Sequence, residues 1–190
     1  MRLIVGISGA SGAPYAARLL DYLKTEGETL GVETHLIFSK NGRLCWNHEV
    51  GTDPETLGMP IHKARDMTAA IASGSSRFDA MVVLPCSVGQ LGRIASGTST
   101  DLIGRAADVM LKQRRPLLLV LRESPLSLIH CRNMVTVTEA GAIVQPASPS
   151  FYSQPSSIDA LIDTVVCRSL DLLGIDNSLM PRWTGQEIRR

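Results

Sequence analysis

A single α/β domain built around a doubly wound parallel sheet is the architecture this sequence predicts, and three observations predict it. Short runs rich in Val, Leu and Ile recur at residues 3–7, 80–84 and 117–121, as suits strands buried on both faces. They alternate with stretches whose apolar residues repeat at helical spacing, as at Leu19, Leu20 and Leu23. Each run also passes directly into turn-forming or charged residues, and the carboxyl edge of such a sheet is where ligands bind. At 190 residues, 44% of them hydrophobic, the chain suits one domain with a substantial core and leaves little room for a second. Residues 1–175 are expected to form that domain and residues 176–190 a tail.

Composition narrows the function classes. A net charge of +1 gives no reason to expect nucleic acid or an anionic membrane as partner, and 4% aromatic residues are too few for a base-stacking platform. Cys45, Cys86, Cys131 and Cys167 form no C-x-x-C pair, so reduced, packed thiols are expected rather than a zinc knuckle or redox dithiol. No run is long enough to span a bilayer, and Arg2 precedes only a short strand-like run, which reads as the start of a cytoplasmic domain.

The opening stretch from Arg2 to Pro14 reads as strand, tight turn and helix. Gly9 and Gly12 permit approaches that a Cβ forbids, Ser11 or Gly12 suits the N-cap, and Pro14 suits the first turn. Free amides and the positive end of the helix dipole then face the loop and favour an anion. The spacing Gly6, Gly9, Gly12 does not meet G-x-G-x-x-G, and no Lys-Ser/Thr pair completes a P-loop, which argues against nucleoside triphosphates. Ser8 and Ser11 suit a phosphate or the polar edge of a ring; the plain alternative is a tight turn and nothing more. A helix over 13–26 and a strand over 33–38 complete a βαβ unit. Ser39 then stands at the ligand edge, either as a ligand group or as the N-cap of a helix over 41–50 carrying Trp46, His48 and Glu49.

Residues 51–60 read as a surface loop and 61–63 as a short strand, after which Asp66 caps a short helix ending at Ala72. Residues 73–76 are either linker or a second phosphate loop. The strand over 80–84 ends in Pro85-Cys86-Ser87-Val88-Gly89-Gln90, where Ser87 suits an N-cap and the next three amides are open donors. Cys86 has no assignable base and reads as a packed thiol. A helix over 100–114 opens on Thr100-Asp101 and closes on Lys112 to Arg115, complementing its dipole. The strand over 117–121 ends in Arg122-Glu123, a charged pair at the ligand edge. A helix over 125–139 turns Leu126, Ile129 and Met134 inward, and His130 reads as a satisfied core or interface histidine, with no paired metal-ligand spacing. A strand over 142–144, a proline-stiffened loop ending in Phe151-Tyr152 and a helix over 158–173 bearing Arg168 follow. In the tail, Pro181-Arg182-Trp183 folds back as a lid or packs on another subunit.

Gly9-Ala10-Ser11-Gly12, Pro85-Cys86-Ser87, Arg105-Ala106-Ala107-Asp108-Val109, Arg114-Arg115-Pro116-Leu117, Arg122-Glu123 and Phe151-Tyr152 together resemble, in order and spacing, the UbiX/Pad1 family of flavin prenyltransferases over residues 2–183. The resemblance implies a Rossmann/flavodoxin-like sheet and a homododecamer with active sites between subunits. It implies transfer of a dimethylallyl group from dimethylallyl phosphate to N5 and C6 of reduced FMN, without a metal, giving prenylated FMN for UbiD-type decarboxylases. Gly9, Ala10, Ser11, Ser39 and the turn Ser87, Val88, Gly89 and Gln90 would contact FMN, with Arg122 on phosphate. Lys112, Arg122, Glu123, Tyr152 and Arg168 would hold the prenyl phosphate, and Ser11 with Glu49 resembles the polar pair beside the reacting edge of the flavin.

Such a reaction forms and captures a carbocation-like allylic centre. Lys112, Arg122 and Arg168 would stabilise charge growing on the departing phosphate, Tyr152 would donate to the same oxygens, and water must be kept out. Glu123 among these cations is either a proton donor or an ionised group that orients the arginines. Two readings compete. Flavin-dependent cysteine decarboxylases explain Gly9 to Ser11 equally well, but have alanine-serine-alanine-asparagine where Pro85-Cys86-Ser87 stands here. A flavin-carrying accessory subunit of an aromatic acid decarboxylase would need no chemistry of its own.

Overall fold

The computed structural model describes residues 1–183 and Gly185. Strands β1 (Arg2–Ile7), β2 (Glu33–Phe38), β3 (Ile61–His62), β4 (Ala80–Cys86), β5 (Leu117–Leu121) and β6 (Ile143–Pro146) form one sheet in the order β3-β2-β1-β4-β5-β6. Every pairing is parallel. This is the Rossmann order; without the two-residue edge strand β3, the remaining five follow the flavodoxin order. The helices are α1 (Ala13–Leu30), α2 (Lys40–Glu49), α3 (Val88–Ala95), α4 (Leu102–Lys112), α5 (Leu128–Glu139) and α6 (Ile158–Leu172).

Side-chain alternation along the strands divides the core into two layers. Leu3, Val5, Ile7, Val82 and Leu84 pack with Leu19 and Leu20 of α1 and Val166 and Leu170 of α6. Ile4, Met81 and Val83 point the other way, against Ile103, Ala106 and Val109 of α4. Each such side chain contributes about 2 kcal/mol by leaving water, so burial on both faces fixes the sheet as the rigid frame behind the site.

Several boundaries differ from expectation, each for a local reason. Helix α1 runs past residue 26 and is closed by the Val32 amide on the Gly27 carbonyl. Strand β4 continues through Pro85 because it carries one extra residue: Val83 pairs with Leu119, yet Cys86 pairs with Leu121. The bulge turns Cys86 into the α4 layer. No α-helix follows Asp66, whose carboxylate binds the amide and hydroxyl of Thr68; only a 3-10 turn forms at Ala70–Ala72. Ser73, Ser75 and Ser76 hydrogen-bond to one another and to nearby carbonyls, while Arg2 and Arg115 bind the carbonyls of Ser76 and Gly74. That segment is linker, not a phosphate loop.

Helix α5 starts at Leu128, with Ser127 as N-cap and the His130 ring accepting the Ser127 amide in a capping box. His130 is therefore a capping group rather than a core residue. Leu126 and Ile129 are 44% and 67% exposed, so the expected inward face is wrong for both; Met134 alone of the three packs against the core. Among the described residues no helix is long and apolar enough to cross a membrane. The expected tail is described through Trp183 and at Gly185; residues 184 and 186–190 lie outside the described residues.

Candidate functional site

The chain leaves β1 and β4 toward opposite halves of the sheet, opening a crevice between their carboxyl ends. Ser8 fastens its two walls. Its buried hydroxyl donates to the Pro85 carbonyl at 2.8 Å and accepts the Ser87 amide at 2.8 Å. That hydroxyl is structural, so Ser8 is not the anion ligand its position suggested. At Gly9 a Cβ would fall 2.3 Å from the Asn41 Cβ, because the start of α2 lies against this loop. The Ala10 amide turns back onto the Ser8 carbonyl and its methyl is buried, which leaves Ser11 as the exposed side chain of the turn.

The anion expected at the start of α1 is present within the chain itself. Gly12 is the N-cap, at φ 121, and supplies no side chain. Glu49 Oε2 instead accepts the amides of Gly12 and Ala13, both at 2.8 Å. Burial pushes the Glu49 carboxyl up, but the Gly12 amide, the Ser11 hydroxyl, the Ala13 amide and the charge of Arg122 outweigh it and hold it below the ordinary carboxylate range. Trp46 aims this group. It is buried against Phe38, its indole N–H donates to the Thr52 carbonyl at 2.8 Å, and Glu49 lies one helical turn further on the same face.

On the other wall, Ser87 caps α3 by accepting the Gln90 amide at 3.2 Å, so that amide is not open to a ligand as expected. Ser39 likewise caps α2, accepting the Gly42 amide at 2.9 Å. Each cap uses the oxygen and leaves the O–H free to donate. Gly9, Ser39, Ser87, Val88 and Gly89 line one cleft of about 680 Å3, and Lys40, Arg65 and Arg93 bring positive charge to it. Gln90 is fully buried below, its carbonyl oxygen holding Arg93 and its Nε2 without a partner among the described residues. Burial pushes the Cys86 thiol up to about 12 despite the nearby Arg93, which makes it a packed thiol and a poor nucleophile.

The third part lies beyond β5 and β6. Arg122 follows β5, exposed, and its charge acts on both Glu49 and Tyr15. The Ala147 amide bonds to the Leu121 carbonyl, setting the loop that carries Tyr152 beside the end of β5. The Gln145 side chain bonds to the Val165 carbonyl and the Ser169 hydroxyl, and the Ser150 amide bonds to Thr164 Oγ1. These contacts seat α6 so that Arg168 and Tyr152 share a second cavity, of about 410 Å3, with Ser148 and Arg182. Trp183 also lines it, edge to face with Tyr152 at 6.0 Å.

Three expected members stand apart from that pair: Arg122 lines neither cavity. Glu123 lines the 680 Å3 cleft instead, its Oε1 accepting the Ser124 amide. Lys112 ends α4, which starts beside Ala64 past the carboxyl end of β3 and runs back to the amino edge of the sheet. About 15 Å of helix therefore separates Lys112 from the crevice side of its own subunit. The sequence reading assigned no site role to Arg93 or to Asp101, which also lines the 680 Å3 cleft, and placed Arg182 only in a tail that folds back as a lid or packs on another subunit. The i, i+3 spacing of Gln90 and Arg93 was the available signal for the first; the pairing of Arg182 with Asp171 across eleven residues left none.

A family model described as Flavoprotein matches residues 1–169. The flavin prenyltransferase UbiX of Thermoplasma acidophilum is 45% identical over 96% of this chain and 100% of its own. A crystal structure of AnUbiX (PadA1) in complex with FMN and dimethylallyl pyrophosphate superimposes with a TM-score of 0.92, at 46% identity over 98% of both chains. That of a dodecameric FMN-dependent UbiX-like decarboxylase from Escherichia coli O157:H7 also gives 0.92, at 41% identity over 97% of this chain and 100% of that one.

Proposed function

Because this chain belongs to the flavoprotein family and, within it, to the UbiX flavin prenyltransferases, we propose that it joins the dimethylallyl group of dimethylallyl phosphate to N5 and C6 of reduced FMN. The product is prenylated FMN, supplied in the cytoplasm to a UbiD-type decarboxylase. The allylic C–O bond breaks with its electron pair leaving on phosphate, and the flavin gains C5H8. Reduced FMN supplies the nucleophilic edge.

The residues present fit that substrate. A cleft of about 680 Å3 is in the range of cofactor sites, and its open hydroxyl donors at Ser39 and Ser87 and its cations suit a polar ring edge and a phosphate. Ser11 and ionised Glu49, at the neighbouring start of α1, would orient a ring N–H or take its proton. The donor phosphate belongs with Arg168 and Tyr152, where a guanidinium and a phenol can meet charge as it develops on the leaving group. Arg122, exposed just past the end of β5, would reach a bound phosphate from there. Lys112 would join from a neighbouring subunit in a dodecamer, and the exposed apolar side chains of α5 supply surface for such assembly. Glu123, on the flavin side, would orient the ring or pass a proton to the departing phosphate.

The observation that carries this reading is the placement of two cavities at the carboxyl edge of one sheet, one rich in amides and hydroxyls and the other holding Arg168 and Tyr152. The test is stoichiometry under strict anaerobiosis. One orthophosphate should appear for each reduced FMN consumed, and phosphate release without loss of FMN would overturn the reading.

A further inference from the structure

We propose that Asp171 is a positioning residue that latches the segment 177–183 over the Tyr152–Arg168 cavity; the proposal rests on that cavity being the donor phosphate site. Asp171 lies in the last turn of α6, three residues after Arg168, so both face the cavity. Each carboxylate oxygen has a partner in the returning segment. Oδ1 accepts from Asn177 Nδ2 at 3.0 Å and Oδ2 from Arg182 at 2.5 Å, while the other terminal nitrogen of Arg182 donates to the Asn177 carbonyl at 3.1 Å. The three groups close a ring that ties 177 to 182. Met180 within it receives the Tyr152 hydroxyl at 3.8 Å, and Trp183 next to it packs on the Tyr152 ring.

The latch has an electrostatic consequence as well as a mechanical one. A free carboxylate one helical turn from Arg168 would pair with that guanidinium and repel an incoming phosphate. Arg182 neutralises Asp171, so Arg168 keeps its charge for the anion. The same contact holds Trp183 against Tyr152 in the cavity wall, from where it would limit the access of water to a bound allylic group.

Asp171→Asn and Arg182→Gln test this, the second being a surface substitution that leaves the fold intact should the first misfold. In anaerobic assays each should raise KM for dimethylallyl phosphate roughly tenfold while the Kd for FMN stays within about twofold. Amide hydrogen exchange in 177–183 should quicken in both, and the double variant should be no worse than either single one, since all remove one contact. Arg182→Lys should recover part of the loss. Unchanged exchange in 177–183, or an unchanged donor KM in an active enzyme, would overturn the proposal. Should the wild-type protein fail to consume the donor at all, the transferase reading falls, and the exchange comparison still decides the latch.

Discussion

At the scale of single residues, Glu49 has two duties that a substitution separates. Its carboxylate closes the N-terminus of α1 and, beside Ser11, is proposed to serve the reacting edge of the flavin. Glu49→Gln should cost about 1 kcal/mol of stability through loss of charge at the helix start. Turnover should fall by more than FMN affinity does; equal losses in both would assign Glu49 to structure alone. His62 gives a second test. Burial and the neighbouring His35 lower its pKa below the ordinary 6.5, against an opposing pull from Asp66. The unfolded chain then takes up a proton that the folded one refuses, so this contribution is present above about pH 6.5 and is lost as pH falls through the lowered value. Tm should drop between about pH 7 and pH 5, and His62→Gln should flatten that drop; an unchanged slope would remove His62 as its cause.

At the scale of elements, the contact between the first loop and α2 decides the geometry of the crevice. Gly9→Ala would place a methyl 2.3 Å from the Asn41 Cβ, near the backbone, so α2 itself must move. A loss of about 2 kcal/mol and roughly tenfold weaker FMN binding should follow, read by denaturant titration and flavin fluorescence. Helix α5 makes the opposite kind of prediction, since Leu128, Ile129 and Val135 are exposed in the single chain. Ile129→Glu should leave the monomer folded and shrink the assembly on native mass spectrometry, and an unchanged assembly mass would place the subunit contact elsewhere. Elements were legible in the sequence wherever one local pattern specifies them, as with the β-branched run of β1 or the Ser87 cap. The inward face assigned to α5 failed because an apolar stripe says that something covers it, not which chain. The Glu49 cap was invisible as a cap, since it joins positions 37 apart through folding.

At the scale of the whole molecule, the crevice expected at the carboxyl edge was legible because a parallel sheet must place its loops there. Which expected residues share a cavity was not, because helix α4 carries Lys112 to the far edge and the loop after β5 directs Glu123 to the flavin side. The proposed catalytic set, divided in this way, would make activity depend on assembly, so the dispersed Ile129→Glu variant should lose turnover along with mass. The claim beneath all of this is that a flavin and an allylic phosphate meet at one edge of the sheet and become joined. The most direct measurement is the mass of the flavin extracted after anaerobic incubation with reduced FMN and dimethylallyl phosphate. The account predicts a species heavier than FMN by C5H8, much diminished in Arg168→Ala at the same donor concentration; recovery of unmodified FMN alone from the wild-type protein would contradict it.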